Sequence, residues 1–170
     1  CSVACPASLD WLFEGMAVVS SETFAATSAP IQYAAVRAFR GGTRIEEYLS
    51  HSRRILKSLC AAVCRRLTEA GAIVAPPQGA FYIFPDFSPL KKQLSAHGIN
   101  TSTEMCERIL EETGVAILPG TAFGRPDHEL TARLALVDFD GAKALACAER
   151  YPMHEPLPEQ FPEDCRLKVL

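Results

Sequence analysis

From about residue 44 to residue 70 the chain repeats apolar residues at helical spacing for longer than anywhere else. Tyr48, Ile55, Leu59, Val63 and Leu67 form one continuous stripe, flanked by Leu49, Leu56, Cys60 and Cys64. Thr43 and Glu46 have the T-x-x-E spacing of a capping box at its start, and Gly71 stops it. A stripe this long must be buried along its length. It therefore asks for a layer of other elements to lie against it, and it carries no chemistry of its own.

Beyond Gly71 the hydrophobic period changes. "AIVAP" reads as a short strand, and Pro77-Gln78-Gly79 as a turn into a second strand from Ala80 to Phe84. Residues 86–100 are polar and read as a loop. Thr101 and Glu104 form a second capping box, opening a helix through Met105, Ile109 and Leu110 that stops near Gly114. "VAILP" is a third strand. In "ELTARLALVDF", Leu130, Ala132, Leu134 and Leu136 alternate with Thr131, Arg133 and Ala135, the pattern of a fourth. Asp138 or Asp140 is placed to cap a last helix over about 140–151. The Pro-rich tail, 152–170, reads as extended or as packed without regular structure.

Ahead of the stripe lie two helical patterns, 9–19 and 27–40, the second with Pro30 in its first turn and Gly41-Gly42 at its end. The expected fold is α/β, of the α+β small-domain kind: a small mixed sheet with helices packed on it, preceded by a long interdomain helix. Residues 1–42 are expected to end a preceding domain, with 43–151 as the small domain and 152–170 as the tail.

Bulk composition narrows the function. Among 170 residues, 48% are hydrophobic and 22% charged, and the formal charge is −3, so neither a nucleic-acid nor an anionic-membrane surface is expected. No apolar run reaches the about 20 residues that cross a bilayer. The start, Cys1 onward, has no initiator Met and no signal-peptide pattern, and reads as cut from something longer. The seven cysteines (Cys1, Cys5, Cys60, Cys64, Cys106, Cys147, Cys165) contain no CxxC pair and no His at zinc-finger spacing. They read as buried reduced thiols in a reducing, cytoplasmic setting, with no metal. His51, His97, His128 and His154 pair with no acid or nucleophile motif and read as surface or structural.

Arg133 is the exception to a bland pattern. It stands inside a half-buried strand, where an unpaired guanidinium is costly. It can pair with an internal acid such as Asp138 or Glu129, or lie exposed on the polar face. Alternatively its planar fork can grip a ligand carboxylate through two parallel hydrogen bonds. The turn "AILPGTAFG" bends the chain sharply out of its strand at Pro119-Gly120, as an ordinary surface turn or as a loop bordering a pocket.

The succession "PPQGAFYIFPDF", "ILEETGVAILPGTAFG" and "LTARLAL", preceded by "SSETFAATSAPIQYAAV", resembles the C-terminal part of the class I/II aminotransferases, pyridoxal-phosphate enzymes of fold type I. The resemblance covers about residues 3–150. It implies that Arg133 binds the substrate α-carboxylate, that Phe123 on the "PGTAFG" loop lines the substrate pocket, and that Gly79–Tyr82 is an inner strand near the domain interface. Ser20-Ser21 and Thr27-Ser28 match regions that approach a cofactor phosphate across a dimer in the family, or else cap helices.

The family's chemistry needs a lysine joined to the cofactor aldehyde. The lysines here are Lys57, Lys91, Lys92, Lys143 and Lys168, none in the family's Ser-Lys context. The resemblance therefore implies that the lysine lies upstream of Cys1, leaving no catalytic or confident cofactor-binding residue in this chain. The piece alone is expected to bind no pyridoxal 5'-phosphate and to be inactive. The full enzyme, expected to be a homodimer, would transfer an amino group between an amino acid and a 2-oxo acid. Two alternatives stay open: another pyridoxal-phosphate enzyme, a lyase or synthase, on the same scaffold, and a non-catalytic module of this shape.

Overall fold

The computed structural model describes residues 7–23 and 27–165. Cys1, Cys5 and Lys168 lie outside them. Contacts divide the chain into two units, 1–45 and 46–170.

The first unit holds helices α1 (Asp10–Thr23) and α2 (Ala29–Phe39). Pro30 takes its place in the first turn of α2, where a missing N–H leaves nothing unpaired. Neither helix buries a residue: Trp11, Tyr33 and Phe39 stand 69%, 78% and 91% exposed.

Helix α3 (Thr43–Glu69) comes next, about 40 Å long at 1.5 Å per residue. In the second unit its stripe does what the spacing demands, and Ile55, Leu59, Cys60, Ala62 and Val63 are buried. Tyr48, expected in the stripe, is exposed at the helix's N-terminal end. The first capping box is not formed. Thr43 is itself the first helical residue, one position too late for its hydroxyl to act as the cap.

The strands are shorter than the sequence pattern suggests. They are β1 (Tyr82–Ile83), β2 (Leu118–Pro119) and β3 (Ala132–Ala135), in spatial order β1-β3-β2. Both pairings are antiparallel, where a mixed sheet was expected: Tyr82 faces Ala135, Ile83 faces Leu134, Leu118 faces Arg133 and Pro119 faces Ala132. "AIVAP" contributes only a single bridge, Ile73 to Asp86, because Pro76 and Pro77 remove the N–H groups that would extend a ladder.

The stretch expected as a loop, 86–100, contains α4 (Lys91–Ala96). Helix α5 (Ser102–Thr113) carries the second capping box in full. Thr101 Oγ1 accepts from the Glu104 amide at 3.2 Å, and Glu104 Oε2 accepts from the Thr101 amide at 3.1 Å. The Asn100 amide adds a bond to Glu104 Oε2 at 2.8 Å; that bond, then those with Thr101, hold the Glu104 carboxyl below its usual pKa. Gly114, left-handed at φ 74, ends the helix. Asp140, not Asp138, caps α6 (Gly141–Ala148) by accepting from the Lys143 amide at 2.9 Å.

The tail is packed, and part of it is regular where none was expected. It forms α7 (Phe161–Asp164), and Phe161 is completely buried against Ile55, Leu59, Ala144 and Ala148. Burying a phenylalanine is worth about 2 kcal/mol, and this side chain anchors the segment on α3 and α6.

A second cluster lies under the sheet: Cys60 and Val63 of α3, Ile83 of β1, Met105 and Cys106 of α5, and Leu130, Ala132, Leu134 and Leu136 in and around β3. The alternation through β3 is therefore real on its apolar side. On the other side Thr131 is also buried, while Arg133 and Ala135 are half-buried.

Candidate functional site

Alternation across a pleated strand puts Arg133 and Ala135 on the side of β3 opposite the core. Cross-strand register brings Tyr82 and Leu118 onto that same side, and Phe84, two residues beyond Tyr82, joins them. Tyr82, Phe84, Leu118 and Phe123 are 42%, 38%, 45% and 41% exposed, so this face is apolar, aromatic and uncovered.

Arg133 is held at its centre by two rings. Its guanidinium carbon lies 4.5 Å from the centroid of Tyr82 and 4.5 Å from that of Phe123. Stacking of this kind suits the planar, weakly hydrated guanidinium and leaves its edges available for hydrogen bonds. No carboxylate among the described residues lies within ion-pair distance of it. Glu129, one of the two internal acids the sequence offered, pairs with Arg125 at 2.6 Å instead. Asp138, the other, is exposed past the strand's end. Arg133 Nε is buried and has no acceptor. A charged donor shut away from water with no partner is costly, so the arrangement favours an acceptor that arrives from outside.

Phe123 reaches Arg133 because of the turn. Pro119 ends β2, Gly120–Phe123 make one 3-10 turn, and Gly124 closes it in the left-handed region at φ 76. Gly120 is buried, and its amide donates to the Thr131 carbonyl at 2.9 Å. A Cβ there would collide with Thr131 Oγ1. Only glycine lets the turn lie this close to β3, which in turn drops the Phe123 ring onto the guanidinium. Phe84 meets Phe123 edge-on at 5.8 Å. Beside them a groove of about 540 Å³ is lined by Ile73, Ala75, Phe84, Asp86, Phe123, Arg125 and Thr131. The groove meets the turn through Phe123; Pro119, Gly120 and Arg133 are not among its lining residues.

The described lysines and histidines of the second unit do not take part in this cluster. Ser20 and Ser21 are in α1, where Ser21 Oγ donates back to the Val18 carbonyl at 2.8 Å. Ser28 precedes α2 and makes no side-chain cap bond. Lys57 is exposed on α3, Lys91 and Lys92 on α4, and Lys143 on α6. His97, His128 and His154 are exposed, and His51 is buried on α3. Cys60, Cys106, Cys147 and Cys165 are buried and Cys64 half-buried, all free thiols. Burial pushes the Cys106 thiol up to about 11 and that of Cys165 to about 12. No group of three metal-binding side chains occurs among the described residues, and no helix there is long and apolar enough to cross a membrane.

Sequence reasoning named Arg133 and Phe123 but not the second ring. Tyr82 becomes a partner of Arg133 only through the register of β1 on β3, and no spacing within either segment encodes that register.

The profile of the family described as "Aminotransferase class I and II" matches residues 2–137. An aspartate/prephenate aminotransferase of Cereibacter sphaeroides is 34% identical over 140 residues, 81% of this chain and 34% of that protein. An aspartate aminotransferase of Pyrococcus abyssi is 34% identical over 68% of this chain and 27% of its own length. The crystal structure of an aromatic aminotransferase from Pyrococcus horikoshii OT3 superposes with a TM-score of 0.52 at 30% identity, covering 80% of this chain and 32% of that one. The chain thus spans about a third of the length of the relatives it matches.

Proposed function

The chain belongs to the class I and II aminotransferases, and from that premise we propose that it supplies the substrate-carboxylate grip of an enzyme moving an amino group between an amino acid and a 2-oxo acid. The observation that carries this is the guanidinium of Arg133, stacked between Tyr82 and Phe123 with no acid of its own. Stacking fixes the plane of the fork before a ligand arrives, which lowers the cost of ordering it. A carboxylate then gains two parallel charge-assisted bonds, and the aromatic wall excludes water from around them. The Pro119-Gly120 turn holds that wall in place.

Full-length members of this family use pyridoxal phosphate, which supplies the electron sink for amino-group chemistry when bound. The described residues of this chain do not fit that group, since the described lysines are exposed on helices. We place the lysine and the phosphate contacts in the part of the family's length that this chain does not span. On this reading 1–170 alone neither transaminates nor carries the cofactor, and the complete enzyme pairs as a homodimer.

The test uses the intact protein. Arg133→Met is expected to lower kcat/KM for amino acids by about a hundredfold or more, the loss of a bidentate charge-assisted pair. Arg133→Lys restores charge without the fork and recovers only part of it. An amine substrate lacking the α-carboxylate should react equally with wild type and variant. Unchanged kcat/KM for amino acids in Arg133→Met would overturn the proposal.

A further inference from the structure

Away from the sheet, a second cavity of about 540 Å³ lies between α3 and the segment from Met153 to Glu159. That segment, and with it one wall of the cavity, lies beyond residue 137, where the family match ends. On the α3 side, Arg54 and Ser58 stand one turn apart and both line the cavity. Arg54 Nε, Arg54 Nη2 and Ser58 Oγ are all buried and have no hydrogen-bond partner.

The chemistry of those atoms is specific. Nε–H and Nη2–H are the two parallel donors of a guanidinium's side edge, the pair that accepts a carboxylate or phosphate bidentately. The acids nearby have other neighbours: Glu159 pairs with Arg65 at 3.3 Å, and Glu155 lies 3.8 Å from His154 Nε2. Lys57, also on the α3 wall, has no anionic partner among the described residues. The cavity therefore has uncompensated positive charge on one wall and a ready-made fork without an acceptor.

We propose that this cavity is a binding site for a small oxyanion, taking a phosphate or carboxylate group on the Nε–Nη2 edge of Arg54, with the Ser58 hydroxyl and the Lys57 ammonium beside it. Solvent does not reach the two nitrogens as they stand. Met153 lies against the third nitrogen of the same guanidinium, its Sδ 4.0 Å from Arg54 Nη1, and its unbranched chain can repack as the anion enters.

The proposal is independent of the Arg133 reading. Its test is isothermal titration of the intact holoprotein with inorganic phosphate and, in a parallel arm, with acetate, at constant ionic strength. Saturable binding is expected with one of the two, and the tighter arm identifies the group. Arg54→Lys, which keeps the charge and loses the parallel donors, should weaken it about tenfold or more, and Ser58→Ala about threefold. Both arms are repeated in Arg133→Met, which removes any acetate held at the Arg133 grip, and the isotherm of the Arg54–Ser58 site should survive there. If Arg54 variants do not fold, Ser58→Ala decides. Absence of saturable binding in both arms, or wild-type affinity in both Arg54→Lys and Ser58→Ala, overturns the site.

Discussion

The two faces of β3 are built from consecutive residues and do opposite things. Ala132 and Leu134 are 0% and 6% exposed and sit in the cluster with Met105 and Cys106. Arg133, between them, is half-buried among rings that are themselves about two-fifths exposed. A period of two lets one short strand serve as both core and site without compromise, because neither face needs the other's residues. One face is saturated with apolar contacts; the other is left short of an acceptor. That shortage is what the proposed carboxylate grip would make good.

Substitution on each face should separate the two. Leu134→Ala is expected to remove about 3 kcal/mol of stability, through lost burial and the cavity left behind, while the folded fraction keeps its kcat/KM. Chemical denaturation with activity measured in parallel checks both. If Leu134→Ala instead lowers kcat/KM of the folded protein as Arg133→Met does, the division of labour between the faces is wrong. A smaller effect tests how the site face is organised. Tyr82→Leu keeps an apolar side chain but removes one stacking face, worth about 1 kcal/mol. KM for amino acids should rise about fivefold with little change in thermal midpoint, and Tyr82→Phe should restore it. A Tyr82→Leu enzyme that lost stability and kept its KM would make the ring a packing residue.

The core face was legible in the sequence and the site face only partly. The α3 stripe, the α5 capping box and the apolar side of β3 each rest on local periodicity, and each is seen. The strand lengths, the antiparallel pairing of all three strands and the α4 turn were not legible, since the prolines at 76, 77 and 119 and cross-strand hydrogen bonds decide them. Arg133 could be picked out because a charge inside an apolar alternation is conspicuous. Tyr82 could not, because its partnership exists only across strands. The Arg54–Ser58 pair was hidden by its own helix. Within an amphipathic stripe a cation reads as solvated surface, and only the tail's return over α3, driven by burial of Phe161, removes it from water.

The smallest effect probes the core face through pH. Cys106 is 5% exposed beneath β3, and burial, then the neighbouring Glu107 charge, pushes its thiol from 9.0 to about 11. The folded state therefore holds the proton after the unfolded chain has released it. Between pH 9 and about 11 the native state binds more protons than the unfolded one, so stability falls as pH rises. The contribution is complete below pH 9 and is lost progressively on the alkaline side. Denaturation midpoints from pH 8 to 10 should decline in wild type and decline less in Cys106→Ala, whatever that variant's stability at pH 8. Arg133 projects from the opposite side of β3, away from that core wall. Carboxylate affinity of the folded protein should therefore stay level over the interval in which its stability drops. Parallel loss of both would mean that the two sides of the strand are coupled after all.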